Sequence, residues 1–179
     1  MPPIVNEKRQ YPIGRFTFNP IFSPSELAAH IERIRTLPIR LNEVLNQMDA
    51  SHWDTPYRPG GWTARQVVHH IADSHINAFI RFKLALTETT PTIKPYLEQQ
   101  WAELPDSLQL PPQVSAQLIT ALHERWAVLL QSMQPSDWQK TLFHPERQRE
   151  ISLWEMVSLY AWHGDHHFAH LVLAGRSEE

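Results

Sequence analysis

Residues 152–175, SLWEMVSLYAWHGDHHFAHLVLAG, decide the architecture. Ser152 followed three residues later by Glu155 has the pattern of a capping box, and Gly175 stands where a helix would end. Between them Leu153, Met156, Val157, Tyr160, Gly164, Leu171 and Ala174 recur at the 3.6-residue period of one helix face. The pattern predicts a helix over Leu153–Ala174. His163 and His167 fall on or beside that face, spaced i, i+4, so they project one turn apart and can offer two imidazoles to one metal ion. His166 and His170 have the same spacing further round the helix and form the rival pair, while Asp165 points away.

Working outward, Thr63 and Gln66 form a second capping-box pattern at the head of a helix fading near Leu86. Its buried stripe is Val67, Ile71, Ser74, Ala78, Phe82 and Ala85, with His70 at the edge and His69 about 100° further round. A third helix starts at Ser23-Pro24-Ser25-Glu26, with serine as N-cap and proline in the first turn, and runs to about Met48. Pro38 is expected to kink or divide it. A fourth spans about Gln113 to Met133. Strand signals are almost absent, so no sheet is expected. Residues 1–20, including Tyr11–Phe18, are expected as an extended segment along the helices. The reading is all-α: one domain over residues 1–179, a four-helix bundle whose long connections, 87–112 and 134–151, pack over an end of it. The two halves echo one another, since Gln47–Trp53 and Met133–Trp138 are similar, and each precedes a helix carrying a central histidine.

The bulk composition narrows the chemistry. The chain has 179 residues, a net charge of −3 with neutral histidines and no basic cluster, which disfavours nucleic-acid binding. There is no cysteine, so thiolate ligands, disulfides and a cysteine nucleophile are excluded, and the weight falls on the 11 histidines. No apolar run has the length of a membrane span and the N-terminus lacks a signal-peptide core, so a cytoplasmic location is expected.

Three histidines from two helices, each near a buried stripe, need partners for six ring nitrogens, and one shared metal ion satisfies three of them. His70, His163 and His167 are therefore the expected ligands. Three imidazoles leave the fourth tetrahedral position open, the catalytic pattern. Zinc is the first expectation, one ion per chain, with nickel, iron or manganese as alternatives. Such an ion lowers the pKa of water towards neutrality or holds a thiol as thiolate. Asp73, one turn from His70, is the candidate base. Asn77 and Arg81 continue the His70 edge and are candidate substrate contacts. His69, His166 and His170 are expected near the site or at the surface, and His30, His52, His123 and His144 at the surface; His75 has no assignment. Trp62 and Trp154, at helix starts, are read as packing anchors.

The stretch DTPYRPGGWTARQVVHHIADSH (54–75), together with YPIG (11–14), IRFK (80–83) and YAWHGDHHFAH (160–170), resembles the YfiT family, whose members are named as metal-dependent hydrolases within the DinB-like four-helix bundles. The resemblance covers nearly the whole chain. It implies a bundle with a long crossover, zinc or nickel on His70, His163 and His167, and a cytoplasmic homodimer. It departs at Asp165, where relatives carry another histidine. The leading expectation is a hydrolase in which the metal activates water on a small-molecule substrate. The runner-up is a transferase activating a low-molecular-weight thiol for S-transfer. A non-catalytic metal- or partner-binding module is the reading from another class, and it predicts a saturated site. No nucleic acid or membrane partner is expected.

Overall fold

The computed structural model describes residues 3–175, with side chains from residue 7 onward. Helix α1 is Pro3–Gln10, and the four long helices are α2 (Pro24–Gln47), α3 (Ala64–Thr87), α6 (Pro112–Ser132) and α7 (Leu153–Ala174). Short helices α4 (Glu98–Trp101) and α5 (Pro105–Gln109) lie in the crossover between α3 and α6. Each expected long helix is present. The N-cap oxygens of Ser23, Thr63 and Ser152 accept from the backbone N–H groups of Glu26, Gln66 and Glu155. Only Thr63 has a reciprocal box, because the Glu155 carboxylate pairs with Arg149 instead. Gly175 is not left-handed; a Cβ there would lie 2.8 Å from Met48 Cε, so the glycine supplies space.

The principal packing sets α2 and α3 each between α6 and α7, so the consecutive helices α2 and α3 stand diagonally opposed. By the same order α6 and α7 are diagonal, so the connection 133–152 has to cross the end of the bundle. The apolar core is divided. One cluster gathers Ile34, Ala78, Phe82, Trp126, Leu153 and Val157; the other gathers Leu37, Leu41, Val67, Ile71, Ile119 and Leu171. Between them runs a layer of histidines from α3, α6 and α7.

Two expectations are corrected, and of the two outcomes expected at Pro38 one is ruled out. The chain does contain a sheet: β1 (Thr141–His144) pairs antiparallel with β2 (Arg149–Ser152), Leu142 opposite Ile151, both buried. Four-residue strands are too short for alternation to register. The crossover joins them, Ile93 N–H donating to Phe143 O (3.1 Å) and Phe143 N–H to Pro91 O (2.9 Å). Residues 3–10 are helical where an extended segment was expected. The chain after them does lie on the bundle, where the Asn19 carbonyl accepts from Trp154 Nε1 at 3.0 Å and Phe22 packs edge-on against that indole. Finally, α2 is not divided: it runs through a buried Pro38. Proline has no N–H for the carbonyl four residues back. That carbonyl, on Ile34, instead accepts from His123 Nδ1 at 2.6 Å.

Candidate metal centre

His70 from α3 and His163 and His167 from α7 converge, each with a ring nitrogen within 4.8 Å of the others. His70 Nε2 and His163 Nε2 are 3.2 Å apart. Two nitrogens held tetrahedrally at ordinary Zn–N distances lie about 3.3 Å apart, so the pair has the spacing a shared ion needs. Burial pushes the His70 pKa down to about 4, with His166 adding to the shift, and pushes His163 and His167 well below the ordinary imidazole value. The trio is neutral at pH 7, the state in which imidazole binds metal.

His166, His167 and His170 form a second grouping of the same kind. It shares His167, and His170 is already committed. The Gln10 carbonyl can only accept, so His170 Nε2 donates to it at 3.1 Å, leaving Nδ1 to accept from His167 Nδ1–H at 3.3 Å. The His170 ring also stacks on Tyr57, 3.8 Å between centroids. His166 lies against Trp162, stacked at 4.5 Å. These contacts favour the first trio.

The trio opens into a cavity of about 460 Å³, whose wall includes Ser74, Tyr160, Arg81, Trp62, Arg58 and Arg147. Ser74 Oγ is 3.5 Å from His163 Nε2. The Trp62 ring centroid is 4.5 Å from that of His70 and 6.1 Å from that of His167, so this tryptophan covers the histidines as well as anchoring a helix start. The turn before it requires its glycines. Gly60 has φ +68°, and a Cβ on Gly61 would meet Arg58 Cγ at 2.8 Å. Arg81 donates to Tyr160 Oη (3.4 Å) and Lys94 O (3.3 Å), which holds its guanidinium at the wall.

The other candidates are placed differently. Asp73 is half-buried, its pKa raised to about 6 by desolvation and then by Asp106, but it is not part of the cavity wall. Asn77 is likewise off the wall, its amide donating to the Asp73 carbonyl on its own helix at 2.9 Å. His69 fastens α3 to the crossover: its Nε2 donates to Leu110 O (3.1 Å) and its Nδ1 accepts from Ser115 Oγ (2.7 Å). Asp165 bridges Arg33 and Arg40, each at 2.6 Å, and so ties α7 to α2. His123 is not on the surface but 1% exposed, and His144 is on the cavity wall. His75 is fully buried between His123 and His163. The sequence feature that bears on His123 is Pro38, whose missing N–H leaves the Ile34 carbonyl needing a donor but does not say which residue supplies it.

Comparison with known proteins finds relatives named for metal dependence. Residues 33–171 match the DinB superfamily. A protein of Bacillus mycoides (strain KBAB4), named “Putative metal-dependent hydrolase”, is 51% identical over 163 residues, 91% of this chain and 93% of its own. A Bacillus cereus (strain 03BB102) protein of the same name matches at the same identity and coverage. The structure of YfiT from Bacillus subtilis, described as “a probable metal-dependent hydrolase with an unusual four-helix bundle topology”, superposes with a TM-score of 0.90 at 42% identity, covering 93% of this chain and 95% of that one.

Proposed function

The chain belongs to the DinB superfamily, within its YfiT group, and on that premise we propose that it is a metal-dependent hydrolase whose ion is held by His70, His163 and His167. The observation that carries the reading is the convergence of three neutral imidazoles on the lining of one cavity, two of their Nε2 atoms 3.2 Å apart. A divalent ion there, zinc first among the candidates, would supply Lewis acidity, lowering the pKa of water and polarising a substrate oxygen.

The chain's own residues prepare that chemistry. Burial keeps the ligating nitrogens unprotonated. Trp62 covers His70 and His167 and limits solvent access from its side. Ser74 places a hydroxyl beside His163. Arg81, held by Tyr160 and Lys94, presents a fixed positive charge to a carboxylate, a phosphate or a developing oxyanion. With Asp73 off the wall, proton transfer falls to groups that face the cavity.

The test is turnover of a panel of small esters, amides and phosphoesters in ¹⁸O-water, with zinc-loaded and chelated protein side by side. Zinc-dependent ¹⁸O incorporation, lost in His70→Ala, is expected. Product formed only when a low-molecular-weight thiol is added, as a thiol adduct without ¹⁸O, would replace hydrolysis with S-transfer.

A further inference from the structure

Between the Ile34 carbonyl and the candidate metal centre runs an unbroken line of imidazoles. His123 Nδ1 lies 2.6 Å from Ile34 O, His75 Nδ1 lies 2.8 Å from His123 Nε2, and His163 Nδ1 lies 3.1 Å from His75 Nε2. Each long helix contributes one member: Ile34 from α2, His123 from α6, His75 from α3 and His163 from α7.

The line has one polarity. A carbonyl oxygen only accepts, and a neutral imidazole has one donor and one acceptor nitrogen. His123 must therefore carry its proton on Nδ1 and donate it to Ile34. Its Nε2 can then only accept, so His75 donates from Nδ1; His75 Nε2 can then only accept, so His163 donates from Nδ1. What remains on His163 is a lone pair at Nε2, the atom 3.2 Å from His70 Nε2. Burial keeps the line neutral: His75 is 0% exposed and His123 1%, and desolvation depresses the pKa of both.

The line starts at Pro38. In an uninterrupted helix the Ile34 carbonyl would accept from the N–H of residue 38, which proline lacks. The freed carbonyl faces His123. The rings are fixed as well as bonded: His75 and His123 lie nearly parallel (7°), and Trp126 stands edge-on to both at 5.7 Å. Gly164 leaves the room, since a Cβ there would lie 3.5 Å from His75 Cε1 and 2.7 Å from Leu37 Cδ2.

We propose that His123 and His75 are positioning residues that, from the Ile34 carbonyl freed by Pro38, fix the tautomer and ring orientation of His163 so that its Nε2 faces the metal. This rests on the three-histidine reading of the site. A ligating imidazole gains basicity and a fixed orientation when its other N–H is taken by an acceptor. Here the acceptor is a second imidazole, itself oriented by a third. The four helices must be packed for the line to close, so the bundle itself sets the ligand.

Two measurements test this on the whole protein. The first is ¹⁵N NMR of the imidazole rings in wild type, metal-free and loaded with Zn²⁺. Nδ1–H is expected on His75, His123 and His163 in both forms, with His69 and His170 in the opposite, Nε2–H tautomer. An Nε2–H tautomer at His75 or His123 would overturn the proposal. The second is Zn²⁺ affinity, by competition with a chromophoric chelator, for His123→Phe and His123→Gln. A carboxamide can accept from His75 and donate to Ile34 in the same sense, whereas a phenyl ring does neither. Affinity is expected to fall roughly 10–100-fold in the Phe variant and to return to within about threefold of wild type in the Gln variant. Equal affinity in wild type and His123→Phe, or equal loss in both variants, would overturn it. Should His123→Phe not fold, the wild-type tautomers decide. Failure of wild type to bind Zn²⁺ would instead remove the metal reading, and the metal-free tautomers would still decide whether the line exists.

Discussion

Acidifying the metal-free protein should unfold it at a pH where most globular proteins remain folded. Seven histidines, His70, His75, His123, His163, His166, His167 and His170, have pKa values pushed down by burial, to about 4 for His70, His123 and His166 and about 3 for His170. In the unfolded chain each returns to about 6.5. Below that value the unfolded state binds protons that the folded state refuses, so stability is complete above pH 6.5 and lost as pH falls towards 4. By pH 5.5, one unit below the unfolded value, each group costs on the order of 1 kcal/mol, and the layer together several kcal/mol. Asp73 acts the other way, because its folded pKa is raised to about 6, and returns about 1 kcal/mol. The remainder is comparable to the whole stability of an ordinary domain, about 5–15 kcal/mol. Urea titrations in EDTA, followed by tryptophan fluorescence between pH 7.5 and 5, read the effect directly. The midpoint should collapse between pH 6.5 and 5. A midpoint unchanged from pH 7.5 to 5.5 would refute the neutral, buried histidine layer.

Gly164→Ala should destabilise despite alanine's higher helix propensity. The added methyl meets Leu37 Cδ2 at 2.7 Å in a filled core, an overpacking cost of about 1–3 kcal/mol against about 1 kcal/mol of propensity gained. A melting temperature at or above wild type would show that Leu37 yields freely. His69→Ala strips bonds to Leu110 O and Ser115 Oγ and should cost about 1–3 kcal/mol by urea titration while leaving Zn²⁺ affinity unchanged. Lost affinity there would place His69 in the metal centre. His163→Ala should abolish stoichiometric Zn²⁺ binding and His166→Ala should keep it, as followed by equilibrium dialysis; the reverse would transfer the site to the rival grouping.

The bundle was legible because its signals are local. Ser23, Thr63 and Ser152 cap their helices, and the stripes of α3 and α7 carry the 3.6 period without interruption. His163 and His167 were legible for the same reason, one helix turn apart on a readable face, and His70 sat at the edge of the other stripe. What failed to show was long-range. His123 sits among the apolar residues of α6 with no histidine at helical spacing, and its partners, Ile34 and His75, lie 89 and 48 residues away in sequence. Trp62 looked like an anchor because its approach to His70 depends on the turn at Gly60 and Gly61. The hairpin has one inward residue per strand, too few to make a period. Asp73 and Asn77 share an edge with His70 on a helical wheel, but the wheel does not show where the cavity opens.

The central claim is that His70, His163 and His167 hold one metal ion. Metal analysis of protein purified without added metal, then reconstituted with Zn²⁺ and desalted, tests it most directly when wild type is run beside His70→Ala. About one equivalent per chain in wild type and almost none in the variant is the predicted result. No bound metal in wild type after reconstitution, or a full equivalent retained by His70→Ala, would contradict it.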